Sequence, residues 1–265
     1  MTIETEAPRA IAVMRAEHLV KEFGGLVAVD DVSLDVPQHS IVSVIGPNGA
    51  GKTTVFNMFT GLYKPTAGRI LLGDRDVTRT RPDIITSLGV ARTFQNIRLF
   101  GAMTALENVV VGRHTRMRAG LFGSIVRPPR VRREEREVRE RAGQLLTYVG
   151  LRESAFDQLA AQLPYGDQRR VEIARALASE PTVLLLDEPT AGMNPQESAA
   201  LTAFMRKMRD ELNLTILLIE HDMKVVMDVS ERVTVLDHGH KIAEGPPEEV
   251  RADSRVIEAY LGTPR

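Results

Sequence analysis

Nine residues, Gly46-Pro-Asn-Gly-Ala-Gly-Lys-Thr-Thr54, bring three glycines, one lysine and two hydroxyls together in a spacing suited to phosphate. They match the pattern G-x-x-x-x-G-K-[ST]. Gly46, Gly49 and Gly51 let the backbone turn its N–H groups inward on phosphate oxygens, with Asn48 and Ala50 filling the loop between them. Lys52 is placed to reach the β- and γ-phosphates, and Thr53 offers Mg²⁺ a hydroxyl, with Thr54 beside it. A pair of acids, Asp187 and Glu188, ends the apolar run Val183-Leu-Leu-Leu186. The first carboxylate of such a pair can support Mg²⁺; the second can polarise an attacking water. A phosphate cradle and a water-positioning acid are the two needs of phosphoryl hydrolysis.

Three further features fit that chemistry. Gln95, in Arg92-Thr-Phe-Gln95, can contact metal or water. Leu163-Pro-Tyr-Gly-Asp-Gln-Arg-Arg170 precedes an alanine-rich helix and offers a second helix N-terminus to an anion. His221 follows the apolar strand 214–219 and could hydrogen-bond a γ-phosphate. Taken singly, these read equally well as a turn glutamine, a helix start and a strand-end histidine. Their order along one chain is what carries weight.

The elements that must position these residues are legible nearby. Ile41-Val-Ser-Val-Ile45 reads as a buried strand entering the glycine loop, and 54–60 as the helix leaving it, its positive dipole end toward the phosphates. Segments 12–16, 32–36 and 70–72 read as further strands. The runs 183–186 and 214–219 are of the fully buried type, so the fold class is α/β with a mostly parallel sheet covered by helices. Arg232–Leu236 and Lys241–Ala243 form a terminal strand pair, and 247–261 a helical tail. From about 97 to 178 the reading is helical.

Arg113 to Arg141 holds ten Arg and four Glu, a net +6, while the whole chain carries −1. Within it, 120–129 is loop-like, and Val131 to Tyr148 is a helix with Glu135–Arg139 and Glu137–Arg141 pairs. It is a solvated helix face, or else a basic patch for anionic lipid headgroups or an acidic partner surface.

The near-neutral balance argues against capture of nucleic acid by bulk charge. The absence of cysteine removes disulfides, thiol catalysis and Cys metal sites, and suits a reducing compartment. Residues 1–10 mix acid and base as a loose tail, not a secretory signal. No window approaches the roughly 18–20 unbroken apolar residues of a membrane helix. A soluble, cytoplasmic chain follows; if it works at a membrane, another chain spans it.

The order of glycine loop, Thr93-Phe-Gln95, Leu163-x-Tyr-Gly-x-Gln-Arg-Arg170, Leu184-Leu-Leu-Asp-Glu-Pro-Thr190 and Glu220-His-Asp222 resembles the ATP-binding subunits of ABC transporters, from about residue 13 to the C-terminus. Finer features resemble the larger ATPase subunit of branched-chain amino acid importers: Phe23-Gly-Gly-Leu-Val-Ala-Val29, Arg92-Thr-Phe-Gln-Asn-Ile-Arg-Leu-Phe100, Gly120-Leu-Phe122, Ile219-Glu-His-Asp-Met-Lys224 and Ala259-Tyr-Leu-Gly262.

The resemblance implies a P-loop NTPase ABC ATPase fold: a RecA-like, mostly parallel core sheet, an antiparallel β subdomain and an inserted helical subdomain. Residues 11–262 form one such domain, with 11–95 and 180–262 as the nucleotide-binding core and 96–179 as the helical part. It implies an ATP hydrolase using ATP and Mg²⁺. Phe23 stacks on adenine; Lys52, Thr53 and Thr54 hold phosphates and metal; Gln95 senses Mg²⁺. Asp187 supports the metal, Glu188 is the base or water-orienter, and His221 contacts the γ-phosphate. Two motors close head to tail, so Tyr165, Gly166 and Asp167 meet the opposite subunit's ATP. The implied partners are transmembrane permease subunits, docked at the groove from Gln95 to Phe100, and a second ATPase, in a heterodimer first and a homodimer second. A periplasmic or extracellular substrate-binding protein is linked indirectly. The implied place is the inner face of the cell membrane, as a peripheral subunit. The same motor in a urea or amide importer or a lipopolysaccharide exporter, and a soluble ABC ATPase outside transport, are the alternatives; a small-molecule kinase leaves 163–170 and His221 unexplained.

Two departures stand out. The usual signature segment is Leu-Ser-Gly-Gly-Gln, whereas Pro164 here lacks the hydroxyl for a γ-phosphate. That loss weakens closure by roughly 1.5–3 kcal/mol. Asp167 puts a carboxylate near phosphates unless it turns away or finds Arg169 or Arg170. Asn194 stands where an interface Asp is usual. Retained but slow hydrolysis by the isolated chain is the expectation.

Overall fold

The structure is a computed structural model, describing residues 12–113 and 129–261. The tail 1–10 and the loop-like stretch 120–128 lie outside the described residues. The chain divides into two compact units, one of residues 1–82 and 198–265, the other of residues 83–197.

The first unit opens with two long strands, β1 (Ala12–Phe23) and β2 (Leu26–Pro37), joined at Gly24, whose φ of 60° suits a two-residue turn. Inner positions Met14, Ala16 and Leu19 of β1 and Val29, Val32, Leu34 and Val36 of β2 are buried, while their neighbours face outward. That is the alternation of a sheet covered on one face. With β4 (Ala67–Leu72) and β5 (Arg75–Asp76) they form an antiparallel sheet in the order β2-β1-β4-β5.

A different sheet carries the glycine loop. All five residues of β3 (Ile41–Ile45) are buried. A strand apolar on both faces must be covered on both and flanked on both edges. β8 (Thr215–Ile219) and β9 (Arg232–Asp237) pair with it in parallel, and β10 (His240–Gly245) closes the edge antiparallel to β9. The helix α1 (Lys52–Phe59) leaves the loop. α7 (Met223–Val229), α8 (Pro247–Ala252) and α9 (Ser254–Leu261) also belong to the unit; the expected tail helix is broken at Asp253. Val226, Val250 and Val256 pack with Ile45, Val233 and Val235 in one cluster, so the C-terminal helices sit in the core beneath the loop's entry strand.

In the second unit, β6 (Val90–Arg92) pairs in parallel with the fully buried β7 (Val183–Asp187). The helices are α3 (Ala105–Gly112), α4 (Pro129–Tyr148) and α5 (Tyr165–Leu177). The unit boundaries fall inside the short α2 (Pro82–Ser87) and at the start of α6 (Pro195–Leu212). Thr104 and Glu107 cap α3 reciprocally. A Cβ on Gly112 would lie 2.2 Å from the Arg175 carbonyl, so α3 and α5 touch backbone to backbone there. On α4, Glu137 pairs at 2.9 Å with Arg133, one turn before it, rather than with the expected Arg141, one turn after it.

Candidate functional site

The site residues fall in both units. In the first, the loop after β3 is built around positions only glycine can fill. Gly46 has φ 149°, and a Cβ there would sit 2.0 Å from the Leu236 carbonyl oxygen. Gly51 has φ 100° and would meet the Ala28 oxygen at 2.5 Å. Gly49 needs glycine for its φ of 83° alone, with open space around it. Ala50 is buried and its carbonyl accepts from Gly239 N–H at 3.2 Å, which fixes the loop to the β9–β10 turn.

Helix α1 begins at Gly51 with no side-chain cap and no acid in its first turn. Its N-terminal N–H groups and positive dipole end therefore favour an anion. Lys52 is 8% exposed, and its Nζ donates to the carbonyls of Gly46 at 2.8 Å and Pro47 at 2.9 Å. Thr53 and Asn48 are exposed and Thr54 half-buried at the same end. Burial pushes the phenol of Tyr260, from α9, up, and the Gly46 backbone opposes that rise.

Phe23 is 41% exposed, not a core residue. Its ring meets Tyr63 edge-on at 5.1 Å, and Lys21 Nζ lies 4.9 Å from its centre. A half-exposed aromatic pair of this kind offers a face to a flat ring. His221 is exposed beyond β8; the fully buried Glu220 carboxylate accepts its N–H at 3.1 Å and that of Asp222 at 3.4 Å. Glu220 thereby sets the backbone that presents the imidazole.

In the second unit, β7 delivers Asp187 and Glu188. Asp187 is 2% exposed, and its Oδ2 accepts from Arg92 Nη2 at 2.6 Å. Glu188 has φ 45°, a left-handed backbone rare for a residue with a side chain and a mark of functional turns. Its Oε2 accepts the Gln95 carboxamide at 2.8 Å. The structure thus brings Gln95 and Glu188 together from 93 residues apart. Hydroxyl, carboxamide and carboxylate oxygens at Thr53, Gln95 and Asp187 are donors a hard cation prefers. Among the described residues no group of three or more His, Cys, Asp or Glu could hold a metal by itself.

The segment 163–167 starts α5. Pro164 takes the N-cap position without a side-chain cap. Tyr165 is exposed, and its hydroxyl donates to the Ala191 carbonyl at 3.2 Å. Gly166 and Asp167 are half-buried. Of the two bases expected near Asp167, Arg170 is the one found, at 3.7 Å; Arg169 turns into the interior. Asn194 caps α6: its Oδ1 accepts Gln196 and Glu197 N–H at 3.0 and 2.9 Å, and Glu197 answers to Asn194 N–H at 3.0 Å. Arg92, Glu172 and Tyr63 carry no role in the sequence reading, and Arg169 carries one only as a possible base for Asp167.

A family model described as ABC transporter matches residues 29–191, and one described as branched-chain amino acid ATP-binding cassette transporter matches 240–265. The high-affinity branched-chain amino acid transport ATP-binding protein LivG of Salmonella typhimurium is 50% identical over 250 residues, 94% of this chain and 98% of that one. A crystal structure of the ADP conformation of an ATP-binding cassette of an ABC transporter superposes with TM-score 0.82 at 32% identity, covering 96% of this chain and all of the other. A dimeric post-hydrolysis state of an ATP-binding cassette bound to ADP and Pi gives TM-score 0.75 at 28% identity, over 88% and 98% of the two chains.

Proposed function

This chain belongs to the ABC transporter ATP-binding family, and we propose that it is the ATP-hydrolysing motor of an importer for branched-chain amino acids. The observation that carries the hydrolytic part is the Gln95–Glu188 hydrogen bond at the end of a fully buried strand. It aims a carboxylate with a backbone held in a left-handed turn.

Gly46 to Thr54 bind the phosphates through backbone N–H groups, the start of α1 and Lys52. Phe23, braced by Tyr63, receives the adenine. Glu188 orients a water and takes its proton as the water oxygen attacks the γ-phosphorus. The bond to the β–γ bridging oxygen breaks and ADP leaves. His221 contacts the γ-phosphoryl group. Thr53, Gln95 and Asp187 would hold Mg²⁺, whose chemistry there would be to neutralise charge on the phosphate oxygens. Tyr165, Gly166 and Asp167 serve the nucleotide of a second ATPase subunit.

Asn96 to Phe100 receive the cytoplasmic helices of permease subunits. Among the described residues no helix is long and apolar enough to cross a membrane, which fits a peripheral subunit on its inner face. The cargo reading rests on the LivG similarity and on the match over 240–265. Deleting the gene and measuring uptake of leucine, isoleucine and valine tests it. Loss of uptake restored by the intact gene supports it; unchanged uptake, with loss for another solute, reassigns the cargo.

A further inference from the structure

Arg169 is the largest fully buried side chain of the described residues, with 0% exposure, and the hydrolytic chemistry above does not use it. Its guanidinium is engaged on both arms. Nη1 donates to the Phe94 carbonyl at 2.8 Å and to Glu172 Oε2 at 2.7 Å. Nη2 donates to the Gln95 carbonyl at 3.0 Å and to the Tyr165 hydroxyl at 3.3 Å. The loop is gripped from its other polar side as well: Glu172 Oε1 accepts Phe94 N–H at 3.3 Å and lies 3.5 Å from Arg98 N. One turn on, Arg175 Nη1 donates to the Arg98 carbonyl at 2.6 Å. Positions 169, 172 and 175 recur every three residues, so one stripe of α5 holds the loop backbone from Phe94 to Arg98.

We propose that Arg169 is a positioning residue that ties the signature segment to the Gln95 loop and, through it, aims Gln95 at Glu188. The inference rests on the reading of Gln95 and Glu188 given above. A planar guanidinium gripping two successive carbonyls fixes the two peptide planes that flank the Gln95 Cα, and so the direction in which the Gln95 side chain leaves. A lysine, a point donor on a flexible stem, cannot reproduce that fork. Burial of an ion pair is weak support for stability, since apolar residues of equal volume commonly replace such pairs without loss. What the apolar pair cannot supply is the set of bonds to the loop. The path from Tyr165 hydroxyl to Arg169, to the Gln95 carbonyl, and from the Gln95 carboxamide to Glu188 lies within one unit. In a closed pair of motors its two ends would serve different nucleotides. Turnover at a chain's own Glu188 then depends on the state of the segment it lends to its partner.

The test uses the full-length chain with Arg169→Lys and with the volume-matched double change Arg169→Met/Glu172→Leu. Two readouts are steady-state hydrolysis of Mg-ATP and amide hydrogen exchange over 94–98. We expect the KM for ATP within about twofold of the parent, because the phosphates are held elsewhere. We expect kcat to fall about tenfold or more, which is 1.4 kcal/mol of barrier, in both variants, and faster exchange over 94–98. If the double variant melts at the parent temperature and keeps the parent kcat and exchange, the proposal is overturned. Should Arg169→Lys fail to fold, Glu172→Gln, with its smaller change, replaces it beside the double variant. A parent chain that hydrolyses no ATP would count against the functional reading, and the exchange data would still decide whether Arg169 holds the loop.

Discussion

Arg92 and Asp187 form a buried ion pair across β6 and β7, with Nη2 to Oδ2 at 2.6 Å and side-chain exposures of 6% and 3%. The pair joins the strand that leads to Gln95 to the strand that Glu188 follows. It therefore holds both ends of the Gln95–Glu188 contact in register. Removing one member of a buried pair leaves a charge without compensation, at a cost of about 3–5 kcal/mol. Arg92→Met is expected to lower the urea-unfolding free energy by about that amount. A loss under about 1 kcal/mol would show that the pair behaves like an exposed one.

The two loop glycines that meet backbone are expected to differ from the one that does not. Gly46→Ala and Gly51→Ala each put a methyl within 2.5 Å of a carbonyl oxygen, at Leu236 and Ala28. Both should abolish ATP binding in a titration calorimeter, since the loop must open to accept them. Gly49→Ala meets nothing and costs only its left-handed backbone, roughly 1–2 kcal/mol. Its ATP binding should persist at weaker affinity. Equal behaviour of the three variants would contradict the steric account.

Burial pushes the Glu172 carboxyl above its ordinary value of 4.5, and Arg169, Phe94 N–H, Arg98 N–H and Arg175 oppose that rise. A carboxyl raised on folding binds its proton more tightly in the folded chain. Its contribution to stability is complete below 4.5 and is lost as pH rises through the folded value. The difference in unfolding free energy between the parent and Glu172→Gln should therefore shift in the parent's favour as pH falls from neutral toward 4.5. A difference that stays flat, or moves the other way, would rule out the raised carboxyl.

Much of the core was readable in advance, and the reason is local. Ile41–Ile45, apolar except for Ser43, and the unbroken apolar run 183–186 lie between turns, and such runs have few alternatives to a buried strand. The glycine loop carries its own backbone geometry in its residue types. β6 was missed because three residues give no period to detect. In the sequence, Arg169 is one of two bases that could meet Asp167. Its burial depends on carbonyls at 94 and 95, which no spacing along the chain reveals. Phe23 needed its neighbour Tyr63, 40 residues on, to become half of an exposed aromatic pair. The contact of Gln95 with Glu188 is likewise a product of strand pairing, in which Arg92 lies opposite Leu185.

Glu188→Gln tests the central claim most directly. The amide keeps the shape of the side chain and its contact with Gln95 but cannot take a proton from water. Measured on the purified chain, ATP binding should be retained and turnover should fall by at least about a hundredfold, with the nucleotide-bound protein trapped as a closed dimer in gel filtration. Turnover within a few-fold of the parent would contradict the account.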